Sequence, residues 1–239
     1  CESRSAEDVV QALVRFATLE APLTLREASA RCFWGDSKFA ENKEIWLREV
    51  FPSQMQKILP RPILLNVVVP AEFNGVLWIE NQDTFLRFAH QPPPEAQSLA
   101  LVYCAGFRAT SPRIREPGHA LFCLVETGRP VQSAASLMAL WKGDLNLPCH
   151  FFGDLDFAGM GILASLRIAF PDAQAWEPGY RRLLEALQAG LGHRPEGAGK
   201  ELQADPEVTG CGYADHVLLP ALRRSGLAVD QEFAGWDSV

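Results

Sequence analysis

Beyond residue 60, short runs of branched and aromatic residues alternate with stretches of helical periodicity. That alternation limits the fold more than any other feature of the chain. The runs are "ILLNVVV" (63–69), "VLWIE" (76–80), "SLALVYC" (98–104), "CHFF" (149–152) and "AQAW" (173–176). Between them lie "NQDTFLRFAH", with Asn81 or Asp83 near its cap, then "VQSAASLMALWKG" and "FAGMGILASLRIAF", and after them "GYRRLLEALQAGLG". The runs read as strands and the intervening stretches as helices. Strands apolar along their length and separated by helices predict an α/β fold, a mainly parallel Rossmann-like sheet with helices on both faces. Such sheets take ligands at the carboxyl ends of their strands.

The first sixty residues differ in texture. "AEDVVQALVRFATLE" places Val9, Val10, Leu13, Val14 and Ala17 at helical spacing, and "TLRE" (24–27) is a capping-box pattern ahead of "ASARCF". A third helix is expected through "FAENKEIWLREVF", burying Phe39, Ile45, Trp46 and Val50, and "LPRP" (59–62) marks a boundary. Three segments follow: a small helical, winged-helix-like segment over 1–60, an α/β domain over 61–180, and a helical extension over 181–239. Within the last, "GHRPEGAGKELQADPEVTGCG" reads as loop, and "YADHVLLPALRRSG" and "LAVDQEFAG" as helices.

Two predicted strands end in carboxylates. Glu80 closes "VLWIE", and "HFFGDLDFAGMGI" (150–162) puts Asp154 and Asp156 just past "CHFF". Gly153 permits a tight turn and Gly159 close packing of the next helix. Like charges gathered this closely repel unless a cation neutralises them, and hard oxygen ligands suit Mg²⁺ or Mn²⁺. The plainer alternative is that both aspartates are solvated loop or helix-cap residues. His150 reads as a packed strand histidine rather than a general base.

Composition excludes some classes. No apolar run approaches the ~20 residues of a membrane span, and the start lacks a secretory pattern. The six cysteines are scattered without a CxxC pair, which predicts reduced thiols in a cytoplasmic protein rather than disulfides or structural zinc. The net charge of −7 argues only weakly against DNA. Lys/Arg balance Asp/Glu nine to nine in residues 1–70, so the whole deficit lies in the part that carries the candidate site.

The motifs "REASARCFWGDSK" (26–38), "WIENQDTF" (78–85), "AGFRAT" (105–110), "FFGDLDFAG" (151–159) and "DQEF" (230–233) span nearly the whole chain. Taken in order, they resemble the Toprim fold of topoisomerases, primases and related nucleases. More narrowly, they resemble the C-terminal half of JetD, the nuclease subunit of the Wadjet plasmid-defence system. The resemblance implies that Glu80, Asp154 and Asp156 bind Mg²⁺ or Mn²⁺, with Glu232 as a further ligand. It also implies that a DNA-binding N-terminal half precedes this chain, in keeping with its lack of an initial Met. The implied partners are DNA, the SMC-like complex of the same system and a second copy of the chain.

Related topoisomerase VI-type A subunits cut DNA with a winged-helix tyrosine. Here Tyr103, Tyr180 and Tyr213 all lie beyond residue 60. Water is therefore the expected nucleophile, in metal-assisted phosphodiester hydrolysis. Gly106 and the amides after it offer an anion-binding turn. Arg108, Lys38 and Arg31 are the candidate phosphate contacts. Two alternatives stand beside this reading. One is a haloacid-dehalogenase-like phosphatase using the DxD, although Ala158 stands where that motif usually has Thr or Val. The other is a non-catalytic Toprim-like module that docks DNA or partner subunits.

Overall fold

Reciprocal side-chain caps start the first two helices. Ser5 Oγ accepts from the Asp8 amide at 3.1 Å while Asp8 accepts from the Ser5 amide at 3.2 Å, which opens α1 (Ala6–Ala17). Thr24 and Glu27 make the same exchange ahead of α2 (Leu25–Cys32), as the TLRE pattern predicts. The computed structural model describes residues 4–104, 106, 113–127, 135–195 and 203–235. It divides into two compact units, Cys1–Pro62 and Ile63–Val239.

The first unit is helical and adds α3 (Glu44–Val50) and α4 (Pro52–Met55). Its core gathers Ala12, Phe16, Phe33, Leu47 and Met55, with Phe39 stacked on Phe33 at 4.6 Å. Among its described residues, extended pairing is limited to one bridge, Thr24 with Leu59. Two helical faces differ from expectation. Helix α1 buries Ala12 and Phe16 and leaves Val10 and Val14 exposed. Helix α3 buries Leu47, leaving Ile45, Trp46 and Val50 exposed. The expected third helix from Phe39 starts instead at Glu44, after a 3₁₀ turn over Glu41–Lys43. That turn changes the helical phase, so a different stripe faces inward.

The second unit is built on a six-stranded sheet. Its strands are β1 (Ile63–Val68), β2 (Gly75–Ile79), β3 (Leu99–Tyr103), β4 (Ala120–Leu124), β5 (Cys149–Phe152) and β6 (Gln174–Ala175), in the order β4-β1-β3-β2-β5-β6. All neighbouring pairs are parallel except β1 with β3. The helices are α5 (Gln82–His90), α6 (Ala135–Lys142), α7 (Phe157–Ala169), α8 (Glu177–Gln188) and α9 (Leu219–Ser225). Every residue of β2 is buried, which requires cover on both faces of the sheet. One face packs Trp78 against Trp141 and Phe170, from α6 and the end of α7. The other packs Phe152 against Trp176 and Tyr180 and, through Trp176, reaches Phe88 of α5.

Two elements depart from the expected pattern. Strand β4, absent from the sequence reading although its ALFCL is wholly apolar, is an edge strand with Leu121 and Leu124 exposed. "LAVDQEFAG" is not a helix. Its Ala228 and Val229 bridge to His193 and Leu155, and only Gln231–Ala234 turns, as 3₁₀. Residues beyond 180 contribute Leu183, Cys211, Leu218 and Val229 to the same core as the sheet. No helix among the described residues is long and apolar enough to cross a membrane.

His150 lies half-buried on β5, in register with Leu77 and Gln174, and burial holds its imidazole below the ordinary histidine range. The unfolded chain therefore takes up a proton first as pH falls through about 6.5, so folding stability drops on the acid side of that value. Urea titrations at pH 7.5 and 5.5 should show that loss, and His150→Gln should reduce it.

Candidate functional site

The chain leaves β2 through α5 to reach β3 on one side, and later leaves β5 through α7 to reach β6 on the other. Strands β2 and β5 are neighbours, so the direction of winding reverses between them. Crevices outside the carboxyl ends of strands form at such reversals. Glu80 follows β2 there, and Asp154 follows β5.

The two residues are tied together. The Glu80 amide donates to the Phe152 carbonyl at 3.0 Å, extending the β2–β5 pairing by one residue. The Asp154 amide lies 3.4 Å from Glu80 Oε2. Gly153 makes this approach possible. A β-carbon there would overlap Glu80 Oε2 and come within 2.8 Å of the Phe151 ring. The Gly153 amide donates at 3.1 Å to the hydroxyl of Tyr180, which is wholly buried beneath the turn. Burial pushes the Tyr180 phenol well above its ordinary pKa, and the charges of Glu80, Asp154 and Asp156 push it further. Burial and Glu80 likewise raise the Cys104 thiol, against the pull of the Gly106 amide.

Asp156 is used differently. Its Oδ1 accepts from the Gly159 amide at 2.7 Å as the N-cap of α7, and its Oδ2 accepts from Gln203 Nε2 at 2.9 Å. It is buried, so it is a packed cap rather than a solvated one. A β-carbon on Gly159 would overlap the Asp154 carbonyl oxygen, so this first turn closes only on glycine. Asp154 and Asp156 thus share a motif without sharing a task.

The C-terminal segment reaches the same place. Leu155 and Val229 exchange backbone hydrogen bonds at 2.9 and 3.1 Å, and the Gln231 amide donates to Asp154 Oδ1 at 2.8 Å. Asn81, which caps α5, donates from its amide to Gln231 Oε1 at 3.1 Å and from Nδ2 to Glu232 Oε1 at 2.7 Å. Glu232 is therefore brought to the residue after Glu80, despite lying some 150 positions away in sequence.

Gly106, with φ of 70°, follows β3, and its amide is turned toward the Cys104 sulfur. Arg108 lies outside the described residues. Arg31 and Lys38 are exposed on the first unit. Sequence reasoning missed Gln231 and Tyr180 as parts of the site. "DQEF" was the only signal for the former, and nothing in the sequence singled out the latter.

Among the described residues no group of three or more His, Cys, Asp or Glu side chains is placed to hold a metal ion. The arrangement therefore does not form a three-carboxylate cage that includes Asp156. Glu80 and Asp154 do fit a hydrated hard cation, which takes one or two carboxylates and completes its shell with water and substrate oxygens. No protein-family model matches the chain, and no curated protein matches it either.

Two substitutions measure how tightly the turn is built. Asp156→Ala should cost about 1–2 kcal/mol through loss of the α7 cap. Gly153→Ala should cost about 1–3 kcal/mol by forcing the Glu80 side chain or the Phe151 ring aside. Urea denaturation checks both, and an Asp156→Ala protein as stable as wild type would refute the cap.

Proposed function

We propose that the second unit is a Toprim-type domain and that the protein is a divalent-metal-dependent DNA endonuclease. The observation that carries this reading is the placement of Glu80 and Asp154 side by side, at the carboxyl ends of adjacent parallel strands where the sheet reverses its winding. A phosphodiester approaching these carboxylates meets charge of its own sign, so productive binding calls for a cation between them. Glu80 and Asp154 would hold Mg²⁺ or Mn²⁺, with Glu232 beside them on Asn81. The bound ion would supply Lewis-acid polarisation of a phosphoryl oxygen and a more acidic water.

The remaining residues act by placement. Asp156 fixes the start of α7 and so the path of the chain between Asp154 and the helix. Tyr180 holds the Gly153 amide from below, and its raised pKa keeps the phenol protonated, a poor state for a nucleophile. Gly106, Arg108, Lys38 and Arg31 remain the proposed contacts to phosphate. Because both Asp156 oxygens serve the cap and Gln203, the phosphatase alternative, which needs the second aspartate for proton transfer, is the weaker reading. The resemblance to JetD extends the proposal to defence against plasmid or other circular DNA in the cytoplasm, with an SMC-like complex and a second copy of the chain as partners. It likewise makes the first unit a winged-helix-like element.

Incubating supercoiled circular DNA with the protein and Mn²⁺ tests the reading. Glu80→Gln and Asp154→Asn keep the oxygens that accept from Asp154 and Gln231 amides, so both variants should fold. Each should lower nicking by more than the roughly 10–100-fold typical of changes one layer removed from a metal. Wild-type cleavage by either variant rejects the assignment.

A further inference from the structure

We propose that Gln231 is a positioning residue that sets the spacing of Glu80 and Asp154 for a divalent cation. The inference rests on the metal reading above. Gln231 is wholly buried and touches both strand ends. Its backbone amide holds Asp154 Oδ1 at 2.8 Å, and its side-chain Oε1 takes the amide of Asn81, the residue after Glu80, at 3.1 Å. One residue thus braces the carboxylate that follows β5 against the chain leaving β2.

Stability alone does not account for an amide at this position. Gln231 Nε2 is buried without a hydrogen-bond partner among the described residues, and an unsatisfied buried donor is costly. An apolar side chain of the same length would remove that donor. What it would also remove is the Oε1 contact to Asn81, and with it the brace between the two strand ends. The segment carrying Gln231 is anchored independently on either side, by the Leu155–Val229 pairing before it and by Arg182, which donates to the Gly235 carbonyl at 2.7 Å, after it. Loss of the side-chain contact should therefore loosen the site without releasing the segment.

Calorimetric titration of the whole chain with Mn²⁺, paired with thermal melting in its absence, decides the matter. Gln231→Met should weaken Mn²⁺ binding on the order of 10-fold or more, the usual effect of removing a residue that orients a ligand. Gln231→Glu, which keeps an oxygen for the Asn81 amide, should recover most of that loss. A Met variant that binds Mn²⁺ like wild type overturns the proposal, as does a Glu variant as weak as Met. A lowered melting temperature with unchanged affinity would mark a purely structural residue and also overturns it. If the Met variant fails to fold, Gln231→Asn, too short to reach Asn81, carries the same expectation and the same refutation. Wild-type protein that takes up no Mn²⁺ fails the metal reading itself, and this inference with it.

Discussion

The candidate site depends on one backbone pairing carried one residue further than the strands themselves. The hydrogen bond from the Glu80 amide, just past β2, to the carbonyl of Phe152, the last residue of β5, holds the two strand ends in step. That step fixes Glu80 against the Gly153–Asp154 turn. The absence of a β-carbon at Gly153 then leaves the volume that the Glu80 carboxylate fills. Shift the register by one residue and the carboxylate would face the other side of the sheet. The fully buried β2, locked between β3 and β5, makes such a slip expensive because it would carry Trp78 and Ile79 to the wrong faces.

Gathering carboxylates over a buried phenol is unfavourable unless each negative group is answered by donors. Amides answer several of them. Asp154 receives the Gln231 amide, Asp156 the Gly159 amide and Gln203, and Glu232 the Asn81 side chain. Burial is the main cause that raises Tyr180 and Cys104, and the nearby carboxylates add to it. Carboxylates repel phosphate and attract cations, so the phosphodiester reading and the metal reading stand or fall together.

Much of the second unit was legible in the sequence because its central strands β2, β3 and β5 are largely buried and α5 and α7 begin at cap residues. "VLWIE", "SLALVYC" and "CHFF" lie within a residue of β2, β3 and β5, and Asn81 caps α5 as its position before the helix suggests. Legibility failed where tertiary context replaced local pattern. Edge strand β4 carries an apolar run, Ala120 to Leu124, that sequence reasoning passed over, and its edge position leaves Leu121 and Leu124 exposed. The exposed Ile45 and Trp46 misled because a 3₁₀ turn, which leaves no mark in hydrophobic spacing, reset the phase of α3. The segment after residue 227 has the composition of a helix, yet Val229 pairs with Leu155, a partner that no local window contains.

The divergence of Asp154 and Asp156 has the same origin. In an extended strand, residues two apart point to one side, so DxD reads as a pair of ligands. That logic requires the strand to continue through the motif. Here Leu155 is already paired with Val229 and the chain turns into α7 at Phe157, so Asp156 meets the free amides of a helix start instead of the Glu80 carboxylate. A helix N-terminus offers a carboxylate orphan amides and the positive end of a dipole, a setting well suited to holding one negative group in place. Asp156 takes that role, and the rigid turn it creates follows directly on the place where the Asp154 amide meets Glu80. The second aspartate thus contributes to the site through the backbone it fixes, a role that spacing alone does not distinguish from ligation.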